Sequence, residues 1–333
     1  MSKIIDTFLF FQELDLLELR LAYLNPYIDR FVIVEACQTF SGKPKEFVFE
    51  ANLKRFEKYL DKITYIQIAD FHSDYNSVIE FLSKEGTPSH LKVRDILENH
   101  HHYNKKELNW VLDSYHRECI HLALDRIADK EDIVILSDLD EIPSLTLFSN
   151  QNILKVSDRP YVCCQHEFRY FLNFFKDSAW LGTIAGKQKV MGKHSLNMLR
   201  IDSKQVRDIV HPEALAECGY HFTSCGGIEA VRKKIESWGH QELNNSTVIK
   251  NIEKNVMSGQ DIFFRDIGAT LEKIEIDDMR YYDSAMIDLM IRYPELIATH
   301  RVDAQPTNGF WQRLIIKWHK VRYKLRIILS ASK

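Results

Sequence analysis

Apolar residues along the chain come in short blocks whose period switches between two and about three and a half, and those switches mark out the elements. Lys3-Ile-Ile-Asp-Thr-Phe-Leu-Phe-Phe11 is β-branched and aromatic and predicts a strand, while Glu13-Leu-Asp-Leu-Leu-Glu-Leu-Arg-Leu21 places leucines at helical spacing. Asn25-Pro26 ends that helix, and Arg30-Phe-Val-Ile-Val-Glu35 predicts a second strand. A third strand is predicted at Ile63–Ile68, then a long helix from about Asn109 to Ala128 that leads into Asp132-Ile-Val-Ile-Leu136. The apolar run there is of the kind buried on both faces of a parallel sheet. Strand and helix alternate, so the expected class is α/β, a mostly parallel sheet with helices on both faces.

Between Asp70 and Lys106 the chain turns polar and reads as an excursion over the sheet edge. The His100-His-His102 cluster within it reads as a solvated loop, because adjacent side chains diverge on any regular element. Further on, Tyr161 to Leu172 is dense in aromatics and fits a core strand or a cleft wall. Cys218-Gly-Tyr-His-Phe-Thr-Ser-Cys-Gly-Gly227 predicts a strand entering a glycine turn, with a helix over Ile228–Ser237 and a short strand beyond Gly268. In the last segment Arg313, Lys317, Lys320, Arg322, Lys324 and Arg326 alternate with Trp311, Leu314, Ile315, Trp318, Val321 and Leu325, with no acid over residues 309–329. Two readings stand for this basic amphipathic C-terminal helix: docking on an anionic membrane surface, or packing on the body with a basic outer face. The domain division expected is residues 1–300 for the α/β body and 301–333 for the basic segment.

Composition changes this picture little. At 333 residues, 45% hydrophobic and 27% charged, the chain can bury a full core. A formal charge of −3 gives no general pull toward nucleic acid, which is not an expected partner. The six cysteines show no C-x-x-C pair and read as reduced thiols. The N-terminus lacks a secretory signal and no run of apolar residues is long enough for a membrane span, so a cytoplasmic enzyme is expected, peripheral on the inner membrane face if the basic segment binds lipid.

The candidate chemistry lies in Ser137-Asp-Leu-Asp-Glu-Ile-Pro143. In extended chain, residues i and i+2 point the same way, so Asp138 and Asp140 can face one Mg²⁺ or Mn²⁺ that also holds a substrate diphosphate. They follow directly on a buried strand, at the carboxyl end where open α/β sheets bind ligands. The chemistry implied is transfer from a nucleotide-activated donor.

The same stretch belongs to an ordered series: Asp6-Thr-Phe-Leu-Phe-Phe-Gln-Glu-Leu-Asp-Leu-Leu-Glu-Leu-Arg20, Phe31-Val-Ile-Val-Glu35, Thr39-Phe-Ser-Gly-Lys-Pro-Lys45, Arg117, the acid segment, Gly219-Tyr-His-Phe-Thr223 and Lys234-Ile-Glu-Ser-Trp-Gly-His240. Over about residues 4 to 245 the chain thereby resembles glycosyltransferase family 17, the family of β-1,4-mannosyl-glycoprotein β-1,4-N-acetylglucosaminyltransferase. The resemblance implies a GT-A fold, with a Rossmann-like nucleotide-sugar domain, metal-assisted transfer and inversion at the anomeric carbon. It also implies UDP-GlcNAc as donor. Tyr220 stands where the family pattern leads one to expect Trp, and a membrane anchor like that of the Golgi members is not expected here. The acceptor expected is therefore a glycan or lipid-linked saccharide of the bacterial surface type.

Roles follow from residue chemistry. Asp138 and Asp140 are the expected metal and donor ligands, with Glu141 in support. Arg117 can grip phosphate oxygens with its guanidinium fork, Lys43 and Lys45 are further donor contacts, and Glu35 and Thr39 are placed to meet base or ribose. Inversion needs a base for the acceptor hydroxyl. Glu229, at the start of a helix after Gly226-Gly227, is the first candidate, with His221 and His240 as alternative bases or further metal ligands. Two competing functions are a nucleotidyltransferase, disfavoured because no glycine-rich phosphate loop lies near the N-terminus, and a non-catalytic carbohydrate-binding scaffold. A glycosidase is disfavoured too, since its carboxyl groups flank the scissile bond about 5–9 Å apart and come from different elements.

Overall fold

The structure, a computed structural model, describes residues 2–99, 103–149, 158–201, 212–264 and 271–300. The opening unit is β1 (Ile4–Leu9), α1 (Leu14–Leu24) and β2 (Arg30–Ala36), followed by the short helix α2 (Val48–Ala51) and by β3 (Ile63–Ile68). β1, β2 and β3 lie parallel, and β4 (Ile133–Leu136) adds to the other side of β1, also parallel. Beyond β4 the sheet becomes mixed. β5 (Glu141–Pro143), β6 (Tyr161–Arg169), β7 (Phe174–Lys187), β8 (Glu213–Leu215), β9 (Gly219–Thr223) and β10 (Glu272–Lys273) complete it. The order is β3-β2-β1-β4-β7-β6-β9-β5, with β10 on β7 and β8 on β6. A central sheet flanked by helices is the class the sequence predicted, with its parallel half at the predicted strands.

Strand pleating divides the core. Phe31 and Ile33 pack in one cluster with Leu17 and Leu21 of α1 and with Met286 and Met290 of the helix Ser284–Met290. Val32 and Val34, one position on, pack in the opposite cluster with Val78, Val93, Tyr115 and Leu124. Because both faces of the inner strands are buried, they read as unbroken apolar runs rather than alternating ones.

Two elements differ from the sequence expectation. The predicted helix from Asn109 to Ala128 is two, α5 (Leu108–Glu118) and α6 (Ile120–Ile127), meeting at Cys119. Within the polar excursion lie two helices, α3 (Tyr75–Glu85) and α4 (Pro88–Asn99). Their stop and start signals are sharp. Asp74 and Ser77 form a reciprocal cap at the α3 N-terminus, Gly86 ends it at φ 64°, and Pro88 opens α4. Only Val78, Leu82, Val93 and Leu97 are buried, so a narrow apolar stripe underlies a polar surface that masked the helical period.

The glycine turn after β9 is present as expected: Ser224 at φ 58°, Gly226 at φ 110° and Gly227 at φ 74° lead into the helix Gly227–Ser237. His100–His102 and the basic segment 301–333 lie outside the described residues. Among the described residues no helix is long and apolar enough to cross a membrane.

The acid segment leaves the sheet after β4 and rejoins it as β5, which pairs with β9. Gly219 makes this return tight. Its φ is +133°, and a Cβ there would lie 2.3 Å from the Ile142 carbonyl oxygen and 2.8 Å from Pro143 Cα. Gly219→Ala is expected to destabilise the fold by about 1–3 kcal/mol from backbone strain alone, with the clash adding to it. Urea unfolding measures this, and an unchanged midpoint would contradict the register of β5 on β9.

Candidate active site

At the carboxyl ends of β1, β2 and β4 lies a cavity of about 400 Å³. Leu9 at the end of β1 and Phe10, Phe11 and Glu13 after it enter the cavity, as do Gln38, Thr39, Phe40 and Lys45 after β2. α5 presents Trp110, Asp113, His116 and Arg117, which share one side of the helix because Asp113 lies three residues after Trp110 and three and four before His116 and Arg117. Asp138, Leu139 and Asp140 form the floor, Arg200 and Lys234 reach in beside them, and Ser237 to His240 close the far side. That closing segment is fastened across the opening. Ser41 N–H donates to the Ser237 carbonyl at 3.2 Å, and the Asn109 side chain donates to the Gly239 carbonyl at 2.5 Å.

Each acid on the floor is met by a cation. Asp138 accepts from Arg117 Nη1 through Oδ1 at 2.6 Å and from Arg200 Nη2 through Oδ2 at 2.7 Å. Asp140 Oδ2 accepts from Lys234 Nζ at 2.9 Å, while its Oδ1 lies 3.8 Å from His221 Nε2. Glu141 is fully buried and accepts from Trp180 Nε1 at 2.7 Å, from the Asp138 N–H at 3.1 Å and from Arg200. The Glu141 carboxylate leaves no room at Gly182, where a Cβ would come within 2.9 Å of it and 2.2 Å of Gln165 Oε1.

Burial by itself would raise the Asp138 carboxyl, but Arg117 and Arg200 overcome it and hold the group well below the usual carboxylate range. Asp140 is likewise pulled down against its burial, by Lys234 and then His221. Asp113 goes the other way, burial raising it despite Arg117. His116 is pushed down to about 3 by burial and is neutral at neutral pH.

The arginines are held by the scaffold. Arg117 Nε donates to Asn197 Oδ1 at 3.1 Å, and Asn197 in turn donates to Ser114 Oγ at 3.1 Å. The fully buried Glu118 accepts the N–H groups of Leu196 and Asn197 at 3.1 and 3.0 Å. One carboxylate on α5 thereby caps the helix Leu196–Ile201 that carries Arg200.

Of the residues singled out in the sequence, the cavity brings together Thr39, Lys45, Arg117, Asp138, Asp140 and His240. Besides the buried Glu141 already described, Glu35, Lys43, Glu229 and His221 lie off its wall. Glu35 is committed elsewhere: its buried carboxylate accepts the N–H groups of Val48 and Phe49 at 2.6 and 3.0 Å, the Tyr65 hydroxyl at 2.7 Å and Lys45, so it caps α2 instead of meeting a nucleoside. Lys43 is exposed on the loop. Glu229, 78% exposed in its side chain, projects to solvent from the first helical turn beside Arg232, which corrects its assignment as base. His221 is buried behind the acids, stacked on Trp180 with ring centroids 4.2 Å apart.

His240 lines the cavity with Nδ1 2.8 Å from Glu242 and its ring edge-on to Trp110. Among the described residues no three His, Cys, Asp or Glu side chains group to hold a metal, His240 with the two aspartates included. The oxygen donors Asp138 and Asp140 do suit a hard divalent cation, with Asp140 Oδ1 the oxygen outside hydrogen-bond reach of its cationic neighbours. Sequence reasoning missed Arg200, Asp113, His116 and Trp110. The last three carried a signal in their helical spacing with Arg117, whereas nothing local marks Arg200.

The model of glycosyltransferase family 17 matches residues 1–92, which bears out the resemblance over that segment and supports a sugar-transfer function. Two similar solved structures are glycosyltransferases. A mannosyltransferase from Pyrobaculum calidifontis, solved with GDP-Man and Mn²⁺, is 10% identical at a TM-score of 0.34, covering 77% of this chain and 70% of that one. Mouse xyloside xylosyltransferase 1, in its apo form, is 13% identical at a TM-score of 0.27, covering 65% of this chain and 78% of that one. No curated protein matches.

The buried imidazole has a pH consequence. His116 is neutral in the fold but binds a proton in the unfolded chain below about pH 6.5, so stability falls as pH drops from there toward 3. Asp138 and Asp140, depressed in the fold, contribute stability above about pH 4 that is lost only below it. In melting curves against pH, His116→Gln is expected to flatten part of the decline between about pH 6.5 and 3, leaving the shares from the also-depressed His221 and, below about pH 4, from Asp138 and Asp140. Parallel wild-type and variant profiles would contradict it.

Proposed function

We propose that the cavity binds a nucleotide-activated sugar and that the protein transfers the sugar to a hydroxyl of a glycan or lipid-linked saccharide with inversion. The observation that carries this is the pairing, on one cavity wall, of strand-end carboxylates with Arg117, Arg200 and Lys234. A diphosphate needs several positive charges in a confined space, and guanidinium groups match phosphate oxygens in geometry as well as charge. On binding, the cations move from carboxylate to phosphate partners and stabilise the charge that develops on the departing nucleoside diphosphate. Asp140, joined by Asp138 as the arginines turn to the phosphates, would hold a Mn²⁺ or Mg²⁺ that supplies further charge neutralisation there. UDP-GlcNAc as donor follows from the family resemblance.

The base is assigned by position. Of Glu229, His221 and His240, it is His240 that faces the cavity, and Glu242 on its Nδ1 fixes the ring so that Nε2 can take the acceptor proton. Trp110, edge-on to that ring, gives the same end of the cavity an apolar surface for a pyranose.

Incubation with UDP-GlcNAc and other nucleotide sugars, with and without Mn²⁺, tests this. Sugar transfer releases a nucleoside diphosphate from the nucleotide sugar, whereas a nucleotidyltransferase would instead release pyrophosphate in a parallel reaction supplied with a nucleoside triphosphate and a sugar phosphate. Asp140→Ala is expected to lower turnover by about 10²–10³-fold, the scale on which a positioned charge stabiliser acts. Turnover indifferent to Mn²⁺ in the wild type would remove the metal assignment. His240→Gln is expected to lower kcat about 10²-fold while nucleotide binding persists, and near-normal kcat would return the base role to another group.

A further inference from the structure

We infer that Arg20, on α1, is a positioning residue that sets the geometry of the acid turn through its backbone. This rests on the transfer reading for its functional meaning, though not for its structural content.

The Arg20 side chain is fully buried. Asp6 at the middle of β1 holds one edge of the guanidinium in a two-point grip, Nε to Oδ2 at 2.9 Å and Nη2 to Oδ1 at 2.6 Å. The other edge faces the acid turn. Nη1 donates to the carbonyls of Asp138 at 3.0 Å, Leu139 at 3.1 Å and Glu141 at 2.7 Å, and Nη2 donates to Ser137 Oγ at 2.6 Å. Phe8 lies beneath, its ring centroid 4.5 Å from the guanidinium carbon.

Residues 137–140 lie between β4 and β5 and take no place in a strand. Carbonyls of a buried turn have no ladder partner, and an unmet one costs free energy. Arg20 donates to three carbonyls at once: that of Leu139 in the turn, that of Asp138, which also accepts the Glu141 N–H at 3.0 Å, and that of Glu141 at the start of β5, which also accepts from the Thr183 hydroxyl at 3.3 Å. It also sets a positive charge under a turn with three carboxylates. A lysine has one nitrogen and cannot span Asp6 and the turn together. The arrangement further links the two parts of the chain: Asp6 and Arg20 fall within the segment that matches the family model, residues 1–92, while the acids lie outside it.

The experiment compares wild type with Arg20→Lys, Arg20→Met and Ser137→Ala by circular dichroism, hydrogen exchange of peptides spanning residues 137–143, and turnover of UDP-GlcNAc with Mn²⁺. Expected in a folded Arg20 variant is exchange of the 137–143 peptide at least tenfold faster, with peptides from β2 and β3 unchanged, and kcat lowered about a hundredfold more than the donor KM is raised. Ser137→Ala, which removes one contact and leaves the ion pair, is expected to quicken the same peptide about threefold with an unchanged melting temperature. A folded Arg20 variant with unchanged 137–143 exchange, or with kcat within twofold of wild type, overturns the inference. Should both Arg20 variants fail to fold, unchanged exchange of that peptide in Ser137→Ala overturns it. A wild type inactive on nucleotide sugars, with the turn still loosened in the variants, sinks the transfer reading and leaves the clamp standing.

Discussion

Three carboxylates within four residues, Glu141 fully buried and Asp138 and Asp140 partly so, cannot share one turn at low cost unless their charge is balanced, and the fold supplies the balance from all sides. An unpaired buried charge costs several kcal/mol, on the order of 3–5 when a partner is removed. Arg20 sits below the turn; Arg117, Arg200 and Lys234 surround it. Each cation comes from a different helix: α1, α5, Leu196–Ile201 and Gly227–Ser237. The docking of these helices on the sheet is therefore tied to one electrostatic requirement, and the cavity exists where they converge.

That arrangement also explains how one site can be stable when empty and receptive to a ligand. Ion pairs at a cavity wall can trade partners at little net cost when the incoming group carries the same charge as the one it displaces. A diphosphate offers anionic oxygens to the same guanidinium and ammonium groups. Glu118, by capping the Arg200 helix from α5, keeps that arginine and Arg117 in register so that both face the same ligand. The aromatic side of the cavity is separate in chemistry and in origin, built by Trp110 and the closing segment Trp238 to His240.

Much of this was legible in the residues. The inner strands announce themselves because burial on both faces leaves no polar position to blur the run, and the acid turn stands out by following one of them. The glycine turn before the helix Gly227–Ser237 was legible for a conformational reason, since φ values of 110° and 74° favour glycine. α3 and α4 were not seen because four buried residues in two helices leave a weak period, although Asp74, Gly86 and Pro88 carried the caps. Site residues split along the same line. Asp138 and Asp140 are neighbours in sequence, so local spacing reveals them. Arg20 and Arg200 meet the acid turn across separations of more than a hundred and about sixty residues, and only the fold brings them there. Glu229 was misplaced because a first-turn acid looks the same in sequence whether it faces a cleft or solvent.

The most direct test of the central claim is a crystal structure of the protein with a nucleoside diphosphate and Mn²⁺. The account predicts the diphosphate in the cavity above Asp138 and Asp140, its oxygens within hydrogen-bond distance of at least two of Arg117, Arg200 and Lys234. A nucleotide bound elsewhere, with all three cations still locked on their carboxylates, would contradict it.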